Sequence, residues 1–209
     1  MKDFEKERKM AGKIHNPAKV KDDPWLRIRE ACKEFNDSKF WEDKKPFENL
    51  KKFFGRAAKD MTITPPFYCE VVSAMFFGGH FYSNTGLTIL DDNKVTIGDN
   101  VYFAPHVSIF CPNHPIVSSV RDKNFEVDLP VTIGNSVWVG GNVTINPGVT
   151  IGDDVVIGSG SVVTHDIPSH VVAAGVPCKV LHPITKKDEE YWQNEEKKYN
   201  EDKKKFDKK

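Results

Sequence analysis

The stretch PVTIGNSVWVGGNVTINPGVTIGDDVVIGSGSVV, residues 130–163, contains a repeat of six residues. Valine recurs in it at every sixth position: Val131, Val137, Val143, Val149 and Val155. A second apolar series follows two residues behind the first: Ile133, Val139, Ile145, Ile151 and Ile157. A period of six fits neither an amphipathic helix nor an alternating strand, and a fixed period indicates a solenoid.

The first series extends towards the N-terminus through Val107, Val101, Val95 and Ile89. One interruption lies between Ile109 and Pro130, and it keeps the frame. We predict a parallel β-helix in which three sides of six residues make a turn of about eighteen. Residues two apart share a face of a strand, so one of each apolar pair should fill the prism and the other pack near a corner. Ten or more in-frame positions argue against a β-sandwich with coincidental valine spacing.

Polar turn residues separate the repeats. The triplets Gly98-Asp99-Asn100 and Gly152-Asp153-Asp154 each follow a residue of the second series. Glycine, asparagine and aspartate tolerate positive φ and tight turns, so we predict that these triplets form corners of the coil.

Composition divides the chain into three zones. We predict a helical segment over residues 1–60, the β-helix over 61–184, and a charged helix or tail over 185–209. In the first zone, a helix should begin near Pro24, and a second amphipathic stretch should end at Pro65-Pro66, where the coils begin. Lysine and acidic residues nearly balance in the last zone, which favours a solvated helix over a partner-binding tail.

Charge and cysteine content restrict the function. The 30 basic and 30 acidic side chains give zero net charge, so nothing points to nucleic acid or an anionic membrane as a partner. No apolar run approaches the roughly 20 residues of a membrane span, and the N-terminus does not resemble a secretory signal. The cysteines, Cys32, Cys69, Cys111 and Cys178, form no CxxC motif. We therefore expect neither a disulfide scaffold nor a zinc knuckle, and a cytoplasmic location.

The interruption of the repeat is where we expect function, since long loops on rigid scaffolds commonly carry it. It contains FCPNHP, residues 110–115. Prolines on both sides restrain the backbone around His114, and a rigidly held histidine is suited to act as a general base. By itself, this pattern does not decide between a catalytic and a structural role.

Residues 81–184 resemble the maltose and galactoside O-acetyltransferase branch of the hexapeptide-repeat acyltransferases. The resemblance lies in FYSNTGLTILDD (81–92), NHP (113–115), SVWVGG (136–141) and AAGVPCKV (173–180). The N-terminal ERKMAGKIHNP (7–17) resembles the helical segment before the coils in that branch. The resemblance implies a left-handed β-helix and a homotrimer with active sites between subunits. It also implies direct transfer of acetyl from acetyl-CoA to a sugar hydroxyl.

The resemblance also implies roles in the chemistry. His114 corresponds to the catalytic base that takes the proton of the attacking hydroxyl. The backbone N–H of Gly141 corresponds to the donor that stabilises the tetrahedral oxyanion. Trp138 corresponds to a tryptophan of the acceptor site, and core packing is the alternative for it.

The acceptor pocket implied by the resemblance contains Glu70, Tyr82, Asn84 and Asp92. Relatives often have Asp or Ser where Glu70 stands, which leaves the acceptor open, and Asp92 has the alternative role of a corner turn residue. Glu126 is a hypothetical partner that orients His114 through a ring N–H, and a solvated loop charge is the alternative.

Coenzyme A is implied to lie along the groove between neighbouring prisms. The implied contacts are Asn84, Gly141, Ser159, Thr164, His165 and Lys179. Lys179 stands where relatives often have Arg, so it keeps the charge and loses the bidentate geometry. His182 is a weaker candidate near the same end.

Several alternatives remain at this point. His165 and His170 suggest a metal site, but no third histidine is in a compatible frame, so we expect no metal. A scaffold subunit without activity would not need the NHP and SVW motifs. Serine or chloramphenicol as the acceptor would change the pocket and not the chemistry. Cys111 is expected to be a packing residue rather than a nucleophile.

Overall fold

The computed structural model describes residues 3–21 and 25–207, so the predicted helix start at Pro24 lies outside the described residues. The N-terminal helices are α1 (Phe4–Met10), a 3-10 turn (Pro17–Lys19), α2 (Trp25–Asn36) and α3 (Lys45–Lys51). Later helices are α4 (Ser118–Arg121) and α5 (Lys186–Phe206). None of the described helices has the length and apolarity to cross a membrane.

Sixteen short strands form the rest of the fold. They are β1 (Thr62–Ile63), β2 (Phe67–Cys69), β3 (Met75–Phe77), β4 (Tyr82–Ser83), β5 (Leu87–Leu90), β6 (Val95–Ile97), β7 (Tyr102–Phe103), β8 (Ser108–Phe110), β9 (Val131–Ile133), β10 (Trp138–Val139), β11 (Thr144–Ile145), β12 (Thr150–Ile151), β13 (Val155–Ile157), β14 (Val162–Val163), β15 (Val171–Gly175) and β16 (Cys178–Pro183).

These strands stack into three sheets around one prism. The first sheet has the order β1-β4-β7-β10-β13-β15-β16, the second β14-β11-β8-β5-β2, and the third β12-β9-β6-β3. As far as β14, every third strand returns to the same sheet, and β15 and β16 then both join the first sheet. The neighbours pair in parallel except for β15 and β16. This topology is the parallel β-helix that the period of six predicts.

The turns differ in length, which corrects the frame read from the sequence. Tyr82 pairs with Tyr102, so that turn takes 20 residues (102 − 82), whereas Trp138 pairs with Val156 and gives 18 (156 − 138). The two extra residues lie at the corner after β5. Because of them, Ile89 pairs with Ile109 and belongs to the second apolar series rather than the first.

Both apolar series point into the prism. Val131 and Ile133 are buried, and Thr132 between them points outwards. The expectation that one of each pair packs near a corner is therefore wrong, because the two ends of a three-residue strand face the same side. Aromatic rings fill the first turns, where Phe81 lies 4.8 Å from Phe77 and 5.2 Å from Phe103 between ring centroids.

Glycine and its polar neighbours have separate tasks at the corners. A Cβ atom on Gly98 would lie 2.6 Å from the carbonyl oxygen of Gly134 in the next turn, so close stacking requires glycine there. Positive φ occurs instead at Asn100 and Asp154, two residues after the corner glycine. The predicted corners are confirmed, and the residues with positive φ are Asn100 and Asp154 rather than the glycines.

The N-terminal helices cover the first turn. Ile28, Cys32 and Phe35 of α2 are buried, as the helical spacing predicts. Helix α3 ends at Lys51 and β1 begins at Thr62, ahead of Pro65-Pro66. These prolines therefore form a corner within the first turn and do not mark the start of the coils.

The C-terminal helix α5 extends from the last turn. Thr185 and Asp188 form a capping box at its N-terminus. Its aromatic side chains are exposed in the single chain: Tyr191, Trp192, Tyr199 and Phe206. Helix α5 buries none of its side chains, so its aromatic residues form a largely exposed surface in the described part of the chain.

Candidate active site

Two edges of the second sheet carry most of the residues singled out from the sequence. The loop edge, where the chain leaves this sheet for the third, comprises residues 70–74, 91–94, 111–130, 146–149 and 164–166. The glycine edge, where the chain enters it from the first, comprises residues 64–66, 84–86, 104–107, 140–143 and 158–161. Glu70, Asp92 and His114 lie on the loop edge, and Asn84, Gly141 and Ser159 on the glycine edge. Within one chain, the second sheet separates these two groups.

The loop that carries His114 starts as a hydrogen-bonded ladder. Asn113 and Val127 exchange two backbone hydrogen bonds of 3.1 and 2.8 Å, and the Leu129 N–H donates to the Cys111 carbonyl at 2.9 Å. The backbone N–H of His114 donates to the side-chain oxygen of Asn113 at 2.9 Å. These bonds restrain the histidine in addition to its flanking prolines.

The imidazole of His114 is open to solvent, with 56% of the side chain exposed. It lines a shallow cavity of about 450 Å³ together with Leu90, Phe110 and Asn146. Nε2 of His114 lies 3.9 Å from Oε1 of Glu126. This separation is too long for a direct hydrogen bond but allows a bridging water.

The two acidic residues assigned to the acceptor pocket are both paired with cations. Arg29 of α2 donates from Nη2 to both carboxylate oxygens of Glu70, at 3.0 and 3.1 Å. Nζ of Lys9, near the end of α1, lies 2.6 Å from Oδ1 of Asp92. A sugar bound here would therefore meet carboxylates that are already oriented and partly neutralised.

Asp91 is a buried acid that the sequence analysis did not single out. Its Oδ1 accepts hydrogen bonds from the backbone N–H groups of Glu70 and Val71, at 3.1 and 2.9 Å. Asp91 and Asp92 both lie at this corner, where the side chain of Asp91 bonds the backbone of the preceding turn and that of Asp92 pairs with Lys9. Burial raises the pKa of Asp91 to about 6, against the lowering effect of these two N–H groups. The apolar pattern carries no signal for it, because the two-residue extension of this corner leaves that pattern undisturbed.

A second group that the sequence analysis missed lies at the base of the loop. Nε2 of His15 is 3.3 Å from Oδ2 of Asp128, and both side chains are fully buried. Burial, and then the charge of Asp92, raises the pKa of Asp128 to about 7. Donor atoms of His15, Glu126 and Asp128 lie within 4.8 Å of one another. Within residues 3–21 and 25–207, this is the one three-residue group with a spacing compatible with a metal ion.

The glycine edge consists of backbone and small side chains. The N–H of Gly141 donates to Oγ of Ser159 at 3.1 Å, so an oxyanion would have to displace this hydroxyl. A Cβ atom on Gly140 would lie 2.6 Å from the Ser159 nitrogen, whereas one on Gly160 would have no atom within 4 Å. The side-chain oxygen of Asn84 accepts from the Thr85 N–H at 2.8 Å. The glycine edge is therefore closely stacked where Gly140 meets Ser159 and open at Gly160.

Tyr82 and Trp138 lie on the outer face of the first sheet. Both pair with Tyr102, which places the three aromatic residues in one ladder. Trp138 is 55% exposed and Tyr102 49% exposed. The alternative that Trp138 packs in the core is therefore wrong.

The remaining positions assigned to coenzyme A lie near the last turn. Thr164 and His165 lie on the loop edge, and their side chains form a 2.9 Å hydrogen bond. Lys179 is exposed in the β15–β16 hairpin, opposite Ala174. Nδ1 of His182 lies 3.0 Å from the Pro183 carbonyl oxygen.

The histidine pair considered for a metal is divided between two corners. His165 contacts Thr164, whereas His170 lies between the third and first sheets with Nδ1 2.9 Å from Oδ2 of Asp154. Cys111 is fully buried, and burial raises the pKa of its thiol to about 12. A thiol held in its neutral form inside the prism is suited to packing rather than nucleophilic attack.

Comparison with known proteins connects this architecture to a family. Residues 130–165 match the family described as Bacterial transferase hexapeptide (six repeats). The chain is 43% identical to galactoside O-acetyltransferase of Escherichia coli (strain K12) over 167 residues, which cover 80% of this chain and 82% of that protein.

Two solved structures agree with this match. A maltose O-acetyltransferase from Clostridium difficile 630 has a TM-score of 0.79 and 40% identity, and the match covers 87% of this chain and 97% of that one. A galactoside acetyltransferase in complex with coenzyme A has a TM-score of 0.84 and 42% identity, over 88% and 93% of the two chains. These matches confirm the left-handed parallel β-helix. This chain belongs to the hexapeptide-repeat acetyltransferases, in the branch that includes the galactoside and maltose O-acetyltransferases.

Proposed function

We propose that this enzyme transfers acetyl from acetyl-CoA to a hydroxyl of a maltose, glucose or galactoside-like sugar, with His114 as the general base. The observation that carries the proposal is the solvent-open imidazole of His114, held by its backbone on the loop edge. The relatives named for galactoside and maltose support the acceptor class, and the structure containing coenzyme A supports the donor.

The chemistry follows from the properties of the reacting groups. An alcohol is a weak nucleophile at neutral pH, and histidine has an ordinary pKa close enough to 7 to accept its proton. His114 takes this proton as the hydroxyl oxygen attacks the thioester carbonyl carbon. The C–S bond then breaks, and the imidazolium returns the proton to the departing thiolate. The products are an acetyl ester and free coenzyme A, and no covalent bond to the protein forms.

The glycine edge supplies the donor side of the proposed site. The N–H of Gly141 stabilises the oxyanion once the substrate displaces the hydroxyl of Ser159. Asn84 lies near the thioester, and pantetheine passes Gly141 and Ser159, next to the open space outside Gly160. Thr164, His165 and Lys179 contact the nucleotide end, and the exposed ammonium of Lys179 suits a phosphate group.

The acceptor side combines acids with aromatic rings. Glu70, Asp92 and Asn84 offer several hydrogen-bonding atoms to sugar hydroxyls. The ion pairs with Arg29 and Lys9 orient the two carboxylates before the sugar binds. Tyr82 and Trp138 contribute flat aromatic faces from the first sheet.

The separation of the two edges supports a homotrimer. A site that needs both His114 and Gly141 takes one from each of two neighbouring chains, because the second sheet separates them within one chain. The exposed ladder of Tyr102 and Trp138, together with the exposed aromatic residues of α5, provides apolar surface for such contacts. Sedimentation of the purified enzyme as a trimer is the expected result.

We assign the enzyme to the cytoplasm on its cysteine chemistry. All four cysteines are free thiols and buried. Cys32 and Cys69 lie 3.0 Å apart at Sγ without a bond, a state that a reducing compartment maintains.

The test is release of free coenzyme A from acetyl-CoA with maltose, glucose, isopropyl-thiogalactoside, serine and chloramphenicol as acceptors. We expect release with at least one of the three sugars, and none of that release from His114→Ala. Release only with serine or chloramphenicol would overturn the sugar assignment. Failure of the folded protein to bind coenzyme A would favour a scaffold subunit and contradict the assignment of Gly141 and Lys179.

A further inference from the structure

The return arm of the loop is attached to the N-terminal segment by backbone pairing. His15 and Glu126 exchange two backbone hydrogen bonds, each 3.0 Å long. The next residue, Val127, exchanges two more with Asn113, which immediately precedes His114. The segments around His15, Glu126 and Asn113 therefore form a three-stranded ribbon, and the position of Glu126 depends on the N-terminal segment.

A buried polar pair lies behind this ribbon. Nε2 of His15 is 3.3 Å from Oδ2 of Asp128, and neither side chain has any solvent exposure. Nδ1 of His15 lies 3.3 Å from the Lys13 carbonyl oxygen, and a proton on that nitrogen suits the contact. Within the described part of the chain, neither Nε2 of His15 nor either oxygen of Asp128 has a partner with hydrogen-bond geometry. The 3.3 Å contact brings these buried polar groups together, and each of them costs free energy if it is left unpaired.

Asn93 connects the same junction to the coil. Its side-chain nitrogen donates to the carbonyl oxygens of Lys9 and Asp128, at 2.9 and 2.8 Å, and all these groups are buried. The end of α1, the extended corner of the second turn and the return arm of the loop thus meet at one point. Movement of the arm would break bonds to both of the other elements.

We infer that the buried His15–Asp128 pair is a positioning device that fixes the return arm and thereby places the Glu126 carboxylate against His114. This inference rests on the proposed function. The gap of 3.9 Å between Glu126 and His114 is about 1 Å longer than a direct hydrogen bond. A small shift of the arm decides whether the imidazole is oriented, and a misplacement of about 1 Å costs roughly 100-fold in rate. His15 and Asp128 do not touch the substrates.

The experiment compares Asp128→Asn and His15→Gln with a matched control in the full-length enzyme. The control is Asp154→Asn, because Asp154 forms a histidine pair of 2.9 Å with His170 at the surface, far from the loop edge. We expect both variants of the buried pair to lower kcat about 10- to 100-fold. The KM for acetyl-CoA should stay within about twofold of wild type, because the proposed thioester and pantetheine contacts, Gly141 and Ser159, lie on the other edge, and Thr164 and His165 belong to the last turn rather than to the loop of His114. The control should keep wild-type kcat.

A double-mutant cycle with Glu126→Gln separates positioning from loss of structure. If Asp128 acts through Glu126, adding Asp128→Asn to Glu126→Gln should lower kcat by less than about threefold. Full additivity of the two losses would overturn the inference. Urea unfolding of each variant identifies any that fails to fold, and His15→Gln provides the second route if Asp128→Asn is such a variant.

Hydrogen exchange tests the same inference without relying on activity. The backbone amides of Glu126 and Val127 should exchange at least about tenfold faster in Asp128→Asn than in Asp154→Asn. Equal exchange rates in the two variants would overturn the inference. This readout does not depend on activity, so it is separate from the test of the proposed function, which fails if the wild-type enzyme uses none of the five acceptors. The zinc content of the purified enzyme gives a further test. If the wild-type enzyme contains one equivalent of zinc and Asp128→Asn contains none, the inference is overturned, because the group is then a metal site.

Discussion

At the glycine edge each turn contributes a similar backbone segment, whereas at the loop edge each turn contributes something different. Gly140 stacks directly against Ser159 one turn further on, with its Cβ position 2.6 Å from the Ser159 nitrogen. The loop edge instead joins Arg29, Lys9 and His15 of the N-terminal segment to three successive turns. Repetition therefore builds a regular edge suited to an extended cofactor, and non-local side-chain pairs build the irregular edge that carries His114, the proposed base.

The largest effect is expected from the loop edge itself. His114→Ala should lower kcat by about 10² to 10⁴, since it removes the proposed general base. Binding of acetyl-CoA, measured by titration calorimetry, should remain because none of the proposed coenzyme A contacts belongs to the loop of His114. His80→Asn, a change at an exposed histidine paired with Asp60, is the control and should keep wild-type kcat. A wild-type kcat in His114→Ala would remove this residue from the mechanism.

A change at the glycine edge should weaken the binding of acetyl-CoA, which His114→Ala is expected to leave intact. In Gly140→Ala the new Cβ atom would lie 2.6 Å from the Ser159 nitrogen, so the two turns must separate. We expect a loss of about 1–3 kcal/mol in the free energy of unfolding and a higher KM for acetyl-CoA. Gly79→Ala is the matched control, because its Cβ would meet its nearest neighbour at 3.6 Å. Equal urea midpoints for the two variants would show that the turns of the glycine edge are not closely stacked.

The buried acid of the loop edge should appear in the pH dependence of stability. The pKa of Asp91 rises from 3.8 to about 6 on folding, so the folded state binds this proton more tightly than the unfolded chain does. The contribution of protonated Asp91 to the stability of the folded state is complete below about pH 4 and is lost as the pH rises through 6.

Asp91→Asn should remove the loss of stability at high pH, because asparagine does not ionise. Its side-chain oxygen still accepts hydrogen bonds from the N–H groups of Glu70 and Val71. The difference in unfolding free energy between variant and wild type should favour the variant more at pH 8 than at pH 4, by up to about 3 kcal/mol. Urea unfolding at both pH values measures it. A difference that does not change with pH would mean that Asp91 is not held in a raised-pKa environment.

The smallest effect on activity is expected at Cys111, next to the loop. Cys111→Ser should keep kcat within about twofold, because the thiol is fully buried and held neutral by burial. Its stability should fall by roughly 1 kcal/mol, as for a buried polar substitution, and Cys178→Ser provides a comparison at another buried thiol. Complete loss of acetyl transfer in Cys111→Ser alone would revive the nucleophile hypothesis.

Features that depend on a few adjacent residues were predictable from the sequence. The interruption of the repeat predicted the loop of His114, and the corner triplets predicted the turns at Gly98 and Asn100. Ile89 was placed in the wrong series, since a two-residue extension of one corner shifts the frame without disturbing the apolar pattern. The exposure of Trp138 was left open because only one residue of the Val137–Val139 pair was expected to fill the prism. Since both do, alternation turns the residue between them outwards.

The sequence by itself determined the parallel β-helix, since an apolar residue at every sixth position, such as Val131 and Val137, can be buried only by stacking equal turns. It also determined that His114 stands on a restrained loop outside the repeat. Only the tertiary structure decided what surrounds that loop. His15 and Asp128 are 113 residues apart (128 − 15) and meet in a fully buried contact, and Lys9 reaches Asp92 in a partly buried ion pair. No local pattern encodes such pairs, because they exist only where the folded N-terminal segment crosses the edge of the coil.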